Sequence, residues 1–232
     1  MSISVILVPG APVMVPELSG FAAEDSARQI DQIVDTLRRT AVAATGVRVY
    51  GTDPGGRTVV DVRSTLARWG ADVPVGRPGS RLADHDRVPD AALIAWWLLD
   101  RAGIALPRAF TGVTSESPHT LKASEGELVV IVADGAASLT PRAPVPEDPR
   151  GVDLDARLTG WLRTGGKLPD PGREVADEVG WWSRPAWLLL AETTDGRQPN
   201  AADSWAPFGV GYHHAVWDDV PHPAEYRSGA AG

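Results

Sequence analysis

Five histidines, His85, His119, His213, His214 and His222, are the side chains best suited to ligate a metal or to move a proton near neutral pH. No pair of them has the H-E-x-x-H or H-x-H spacing that aims two imidazoles at one ion. His213 and His214 are adjacent on an expected strand, so their side chains point to opposite faces. A site mixing these histidines with Asp218 or Asp219 is conceivable, but a sheet-end histidine pair beside surface acids is the ordinary reading. The chain has no cysteine, which excludes a thiol nucleophile, a disulfide scaffold, an iron–sulfur cluster and a cysteine-ligated zinc. It also has no G-x-S-x-G nucleophile elbow, so a standard α/β-hydrolase is not expected. Gly165, Gly166 and Lys167 do not make a phosphate loop: they follow a helix, and Leu168 stands where a hydroxyl is required. Nine tryptophans are read as core and dimer packing, with an aromatic-lined pocket as the second reading.

The elements that must position such groups follow from periodicity. Residues 3–8 form a short β-branched run stopped by Pro9 and Gly10, which predicts a buried strand. Between residues 24 and 45, Ala27, Ile30, Val34, Leu37, Ala41 and Ala44 recur in steps of three and four, one face of a long helix. Residues 47–50 give a second strand, stopped by the turn cluster at 51–56, and the order implies a parallel pair with a right-handed crossover. A largely apolar helix is expected at 91–102 with Asp90 as its cap, and strands at 110–114 and 127–133. Four prolines between 141 and 151 predict a loop. Helices are expected from Asp153 and over 173–182, strands at 187–191 and 208–217, and a frayed tail over 221–232. Alternating strands and helices make residues 1–220 one α/β domain: a single-domain α/β/α sandwich around a mostly parallel sheet.

In such a sheet ligands bind at the carboxyl ends of the strands. Pro9, Gly10, Ala11, Pro12, Asp53, Asp134 and Gly135 are therefore the candidate ligand-binding residues. Pro9 to Val13 and Asp134 to Ser138 are expected to line one cleft. The glycines after Asp53 read most simply as a turn, because a phosphate cradle would lead into a helix and residues 58–62 look extended. The catalytic candidates are Asp134, Ser138, His213 and His214. With 30 acidic against 22 basic residues the net charge is -8, so no nucleic-acid partner is expected. No run approaches the ~20 apolar residues of a membrane span. Residues 1–9 lack the basic start of a secretory signal, so a cytoplasmic protein is expected.

The run VPGAPVMVPEL at 8–18 resembles the start of the catalytic chains of class III extradiol ring-cleavage dioxygenases, the LigB-like superfamily. The runs ALIAWWLLDRAG at 92–103, VADGAAS at 132–138 and APFGVGY at 206–212 resemble a compact actinobacterial branch of it. The resemblance implies an α/β sandwich and, in active members, a ferrous iron held by two histidines and a glutamate that opens catechol rings with dioxygen. One ligand histidine follows the first strand, where residues 9–12 have none, and the second lies near the loop at 52–56, which has none either. The acid/base histidine follows a glycine–serine turn, where Leu139 and Thr140 stand instead. The expectation is therefore a LigB-like binding or regulatory protein for a small aromatic or anionic ligand, with no cofactor and no ring opening of catechols. The alternative is an active metalloenzyme whose iron is held by a relocated set drawn from Asp53, Asp134, His213 and His214. The apolar strand expected at 208–217, placed at a sheet edge, predicts a homodimer.

Overall fold

The structure, a computed structural model, describes residues 2–116 and 121–221. His119, His222 and all of the expected 221–232 tail except Pro221, which ends β10, lie outside the described residues. The chain runs β1 (Ser2–Val8), α1 (Pro16–Ser19), α2 (Ala27–Thr40), β2 (Gly46–Thr52), β3 (Thr58–Val60), β4 (Val62–Thr65), β5 (Pro74–Val75) and β6 (Arg81–Leu82). It continues with α3 (Asp90–Arg101), β7 (Arg108–Val113), β8 (Glu127–Val132), α4 (Pro149–Thr164), α5 (Arg173–Glu178), α6 (Arg184–Thr194), β9 (Ala201–Trp205) and β10 (Tyr212–Pro221).

Seven strands form one sheet in the order β3-β7-β2-β8-β1-β10-β9, and β5-β4-β6 make a small second sheet. The central four, β7, β2, β8 and β1, run parallel, whereas β3, β10 and β9 each pair antiparallel. The sheet is therefore mixed, and the expected mostly parallel arrangement holds for its centre only. β1 and β2 do run parallel on either side of a helix, as read from the sequence, but β8 lies between them. Chain order gives the direction of a crossover, and a later strand with a stronger apolar run can still take the place between its ends.

The period-two alternation of the central strands builds two cores. Ile6 and Val8 of β1 and Val130 and Val132 of β8 pack with α2 and α3, around Ile30, Ile33, Leu37 and Trp96. Val5 and Leu7, with Val129 and Ile131, pack on the other face against α4, α5 and α6, around Leu158, Trp161, Trp187 and Trp217. Helices thus cover both faces of the sheet. Trp187, Trp161, Trp181 and Trp217 form a chain of ring contacts 6.1–6.3 Å apart, which accounts for four of the nine tryptophans as core. Each such buried aromatic contributes on the order of 2–3 kcal/mol through the surface it removes from water.

Several boundaries differ from the sequence reading. Residues 187–191 are not a strand but the middle of α6, which Pro185 opens and Asp195, at φ 48°, closes. A five-residue apolar run fits either element, and the flanking proline and left-handed residue decide it. The helix expected over 24–45 is α2 alone, flanked by 3-10 turns. α4 starts four residues before Asp153, because Pro149 sits at its first position and the Asp148 carboxylate accepts from the Arg150 N–H. Residues 208–211 belong to the turn before β10, and β9, with no β-branched residue, was not anticipated. β10 is an interior strand between β1 and β9. Its residues Tyr212 to Trp217 are buried within the chain, so the edge-strand basis for a homodimer is removed. No helix among the described residues is long and apolar enough to cross a membrane.

Candidate functional site

The register of β1 against β8 pairs Val8 with Val132, which brings the next residues of both strands level at the carboxyl edge. There the Gly10 N–H donates to Asp134 Oδ1 at 2.9 Å. Glycine is required at position 10, since a Cβ would stand 2.8 Å from the Val132 side chain. The two loops expected to meet therefore do meet. The Asp134 carbonyl accepts from Trp187 Nε1 at 2.8 Å, which anchors the loop from the α6 side. Burial pushes the Asp134 carboxyl up to about 6, against the smaller opposing pulls of the Gly10 N–H and of His213. Tyr212, the first residue of β10, is raised above its ordinary value by burial and then by the Asp134 charge. A half-buried carboxyl poised near neutral can accept a hydrogen bond from a ligand or exchange a proton with it.

Beside this acid lies a second polar unit. His213 is fully buried; its Nδ1 lies 2.9 Å from Ser204 Oγ on β9 and its Nε2 lies 3.1 Å from Asp155 Oδ1 on α4. Ser204 and His213 are direct partners in the β9–β10 register. The Trp187 ring stands edge-on to the imidazole at 5.3 Å. Two glycines make room for the Asp155 carboxylate: a Cβ at Gly211 would fall 1.7 Å from Oδ1, and one at Gly135 would fall 2.2 Å from it. The Gly135 N–H donates to Gly211 O at 2.7 Å, and the Gly211 N–H to Ala136 O at 3.0 Å, clasping the two loops around that pocket.

The remaining candidates are placed elsewhere or are internally satisfied. His214 points to the opposite face, as expected, with Nδ1 3.0 Å from Leu7 O and Nε2 3.4 Å from Thr36 Oγ1. Burial holds its pKa below the ordinary value, so it is neutral at pH 7. Ser138 is fully buried and donates to Val179 O at 3.0 Å, so it is a packing residue and not a reachable nucleophile. Pro9 and Gly135 are buried too, which leaves Gly10, Ala11, Pro12 and Asp134 as the half-buried members of the ligand-binding set. Asp53 lies at the end of β2, where burial would raise its pKa but the hydrogen bonds from Arg57 outweigh that and lower it. Arg57 reaches it through Nη2 at 2.6 Å and through its backbone N–H at 2.8 Å, the closed turn that the sequence suggested. Asp218 and Asp219 accept from Ser4 and Ser2, towards the opposite end of β1.

An iron of the kind implied by the ring-cleavage resemblance does not fit these residues. The loops after β1 and β2 offer no imidazole, the two strand histidines face opposite ways, and Asp53 is committed to Arg57. Asp53, Asp134, His213 and His214 are not brought to one point. The one group of three ligand-type side chains that converges among the described residues is Asp84, His85 and Asp86. Those three are consecutive in a surface turn, where the Asp84 carboxylate accepts from the Asp86 N–H. Sequence reasoning missed Asp155, Ser204, Tyr212 and Trp187 as site residues, because only strand pairing and helix docking bring them to Asp134 and His213. No protein-family model matches the chain, and no curated protein matches it.

Proposed function

We propose that this chain is a LigB-like α/β protein that binds a small hydroxyl-bearing aromatic molecule at the carboxyl edge of its sheet and does not open the ring. The observation that carries this reading is the Asp134 carboxyl, held by the Gly10 N–H and raised to about 6 by burial. When ionised it is an acceptor with one oxygen already used, so a phenolic O–H is a suitable partner. A second anion is disfavoured there, because a like charge beside a desolvated carboxylate raises the energy of both. A neutral catechol thus suits the site better than an anionic ligand. Trp187, itself buried, holds the Asp134 carbonyl and so keeps the acid's backbone in place. The absence of imidazoles at the ends of β1 and β2 supports binding without iron chemistry.

The test is calorimetric titration of the full chain with catechol, in the absence and presence of ferrous iron under nitrogen. The expected result is metal-independent binding that weakens at least about tenfold in Asp134→Asn, the loss of one charge-assisted hydrogen bond. Unchanged binding in that variant overturns the site. A ring-opened product after admission of oxygen to the iron-loaded protein overturns the function.

A further inference from the structure

We propose that Ser204, His213 and Asp155 form a metal-free acyl-transfer centre, in which Ser204 attacks small carboxylic esters. The three side chains come from three elements, β9, β10 and α4, and converge at 2.9 Å and 3.1 Å. In the catalytic form Asp155 is a carboxylate and His213 a neutral imidazole. An ionised Asp155 carboxylate only accepts, so His213 Nε2 carries the ring proton and donates to it. Nδ1 then holds a lone pair, and the Ser204 hydroxyl must donate to it. This is a hydroxyl hydrogen-bonded to a base that a third group orients, the arrangement that activates a serine nucleophile. It uses the ring nitrogens in the opposite sense to the familiar serine proteases, with Nδ1 towards the serine.

The surroundings suit that role. His213 is fully buried, whereas Ser204 is half-buried on β9, the edge strand, which is the side from which an ester and then the hydrolytic water approach the hydroxyl and Nδ1. The hollow formed by Gly135 and Gly211 admits the Asp155 carboxylate where any larger residue would expel it. In the reaction Ser204 Oγ bonds to the acyl carbon while its proton passes to Nδ1, and Asp155 stabilises the imidazolium. Collapse breaks the bond to the leaving alkoxide, which takes that proton and departs as the alcohol. Water then attacks the acyl-serine, giving a proton to Nδ1; the proton returns to Ser204 Oγ as the carboxylic acid leaves. No oxidant, metal or cofactor is needed.

The experiment treats the full chain with a fluorophosphonate probe, with catechol absent, and locates the adduct by peptide mass spectrometry. The expected result is one adduct per chain, on Ser204, that disappears in Ser204→Ala. Asp155→Asn, checked for cooperative melting, slows labelling at least about 100-fold, the contribution of a correctly oriented base. A Ser204 that stays unlabelled in the wild-type protein overturns the proposal, and this arm needs no variant to fold. Equal labelling rates in the wild type and a folded Asp155→Asn variant overturn it as well. Binding of catechol through Asp134 is read in a separate assay, so either idea can fail while the other stands.

Discussion

Replacing Asp134 by asparagine should make the protein more stable at neutral pH, and the gain should depend on pH in a specified direction. The carboxyl moves from an ordinary 3.8 to about 6 in the folded chain. At about 1.4 kcal/mol per pH unit, that difference amounts to about 3 kcal/mol. Between those two values the folded state holds the proton more tightly than the unfolded state does. Stability therefore falls as pH rises through the window, and above about pH 6 the whole cost of the buried charge is present. The asparagine side chain would keep the acceptor for the Gly10 N–H but never ionises, and its amide N–H group costs about 1 kcal/mol if left without a partner. The variant should thus be more stable than wild type by about 2 kcal/mol at pH 7–8, an advantage that vanishes at about pH 4.5 and becomes a deficit of about 1 kcal/mol below about pH 4. Asp53, Asp61, Asp148, Asp170 and His214 all have lowered pKa values and act with the sign opposite to Asp134, the carboxylates at lower pH and His214 in an overlapping window. All five are present in both proteins and cancel in the difference. Urea denaturation of the two proteins across this pH range measures it. A difference that stays flat with pH, or that shrinks as pH rises, would refute the reasoning.

Three further outcomes follow from the same contacts. Gly211→Ala places a Cβ 1.7 Å from Asp155 Oδ1 and should cost more than about 2 kcal/mol in chemical denaturation; a cost below about 0.5 would show that Asp155 is free to move. The folded pKa of His214 is depressed by burial, so the unfolded chain binds more protons below the ordinary 6.5, and wild-type stability is lost as pH falls through that value. His214→Gln, which can keep the partners Leu7 O and Thr36, should therefore gain stability relative to wild type on going from about pH 7.5 to pH 5, read from denaturation midpoints. Trp187→Phe removes the N–H donated to Asp134 O and part of the ring cluster, and it should cost about 1–3 kcal/mol in the same assay, with no loss meaning that the Asp134 loop is anchored elsewhere.

The sheet centre was legible because each of its strands carries a run that only a buried strand explains. Residues 3–8, 47–50 and 127–133 all pair as parallel neighbours of one another or of β8. The joining of Gly10 to Asp134 was legible for the same reason: parallel strands end on one edge, and glycine marks a close approach. Even the opposed directions of His213 and His214 followed from the two-residue period of a strand. What was not legible is what depends on partners distant in the chain. Ser204 and Asp155 have no spacing relative to His213 that marks them, since one is set by antiparallel register and the other by where α4 lies across the sheet. Ser138 was a candidate only by its position in the loop after β8, and there it is buried with its hydroxyl donated to Val179 O. The short run at 187–191 carried no period that separates helix from strand, so α6 and its tryptophan entered on the wrong element.

The most direct measurement follows the Asp134 carboxyl carbon by NMR, in protein labelled with carbon-13 aspartate, through a pH titration with and without catechol. Without ligand the midpoint should lie near 6, where burial outweighs the opposing pulls of the Gly10 N–H and His213. With catechol bound, a phenolic O–H donated to the carboxylate stabilises the charged form, so the midpoint should move down. A midpoint near the ordinary 3.8 in the free protein, or one that catechol leaves in place, would contradict a ligand site at Asp134.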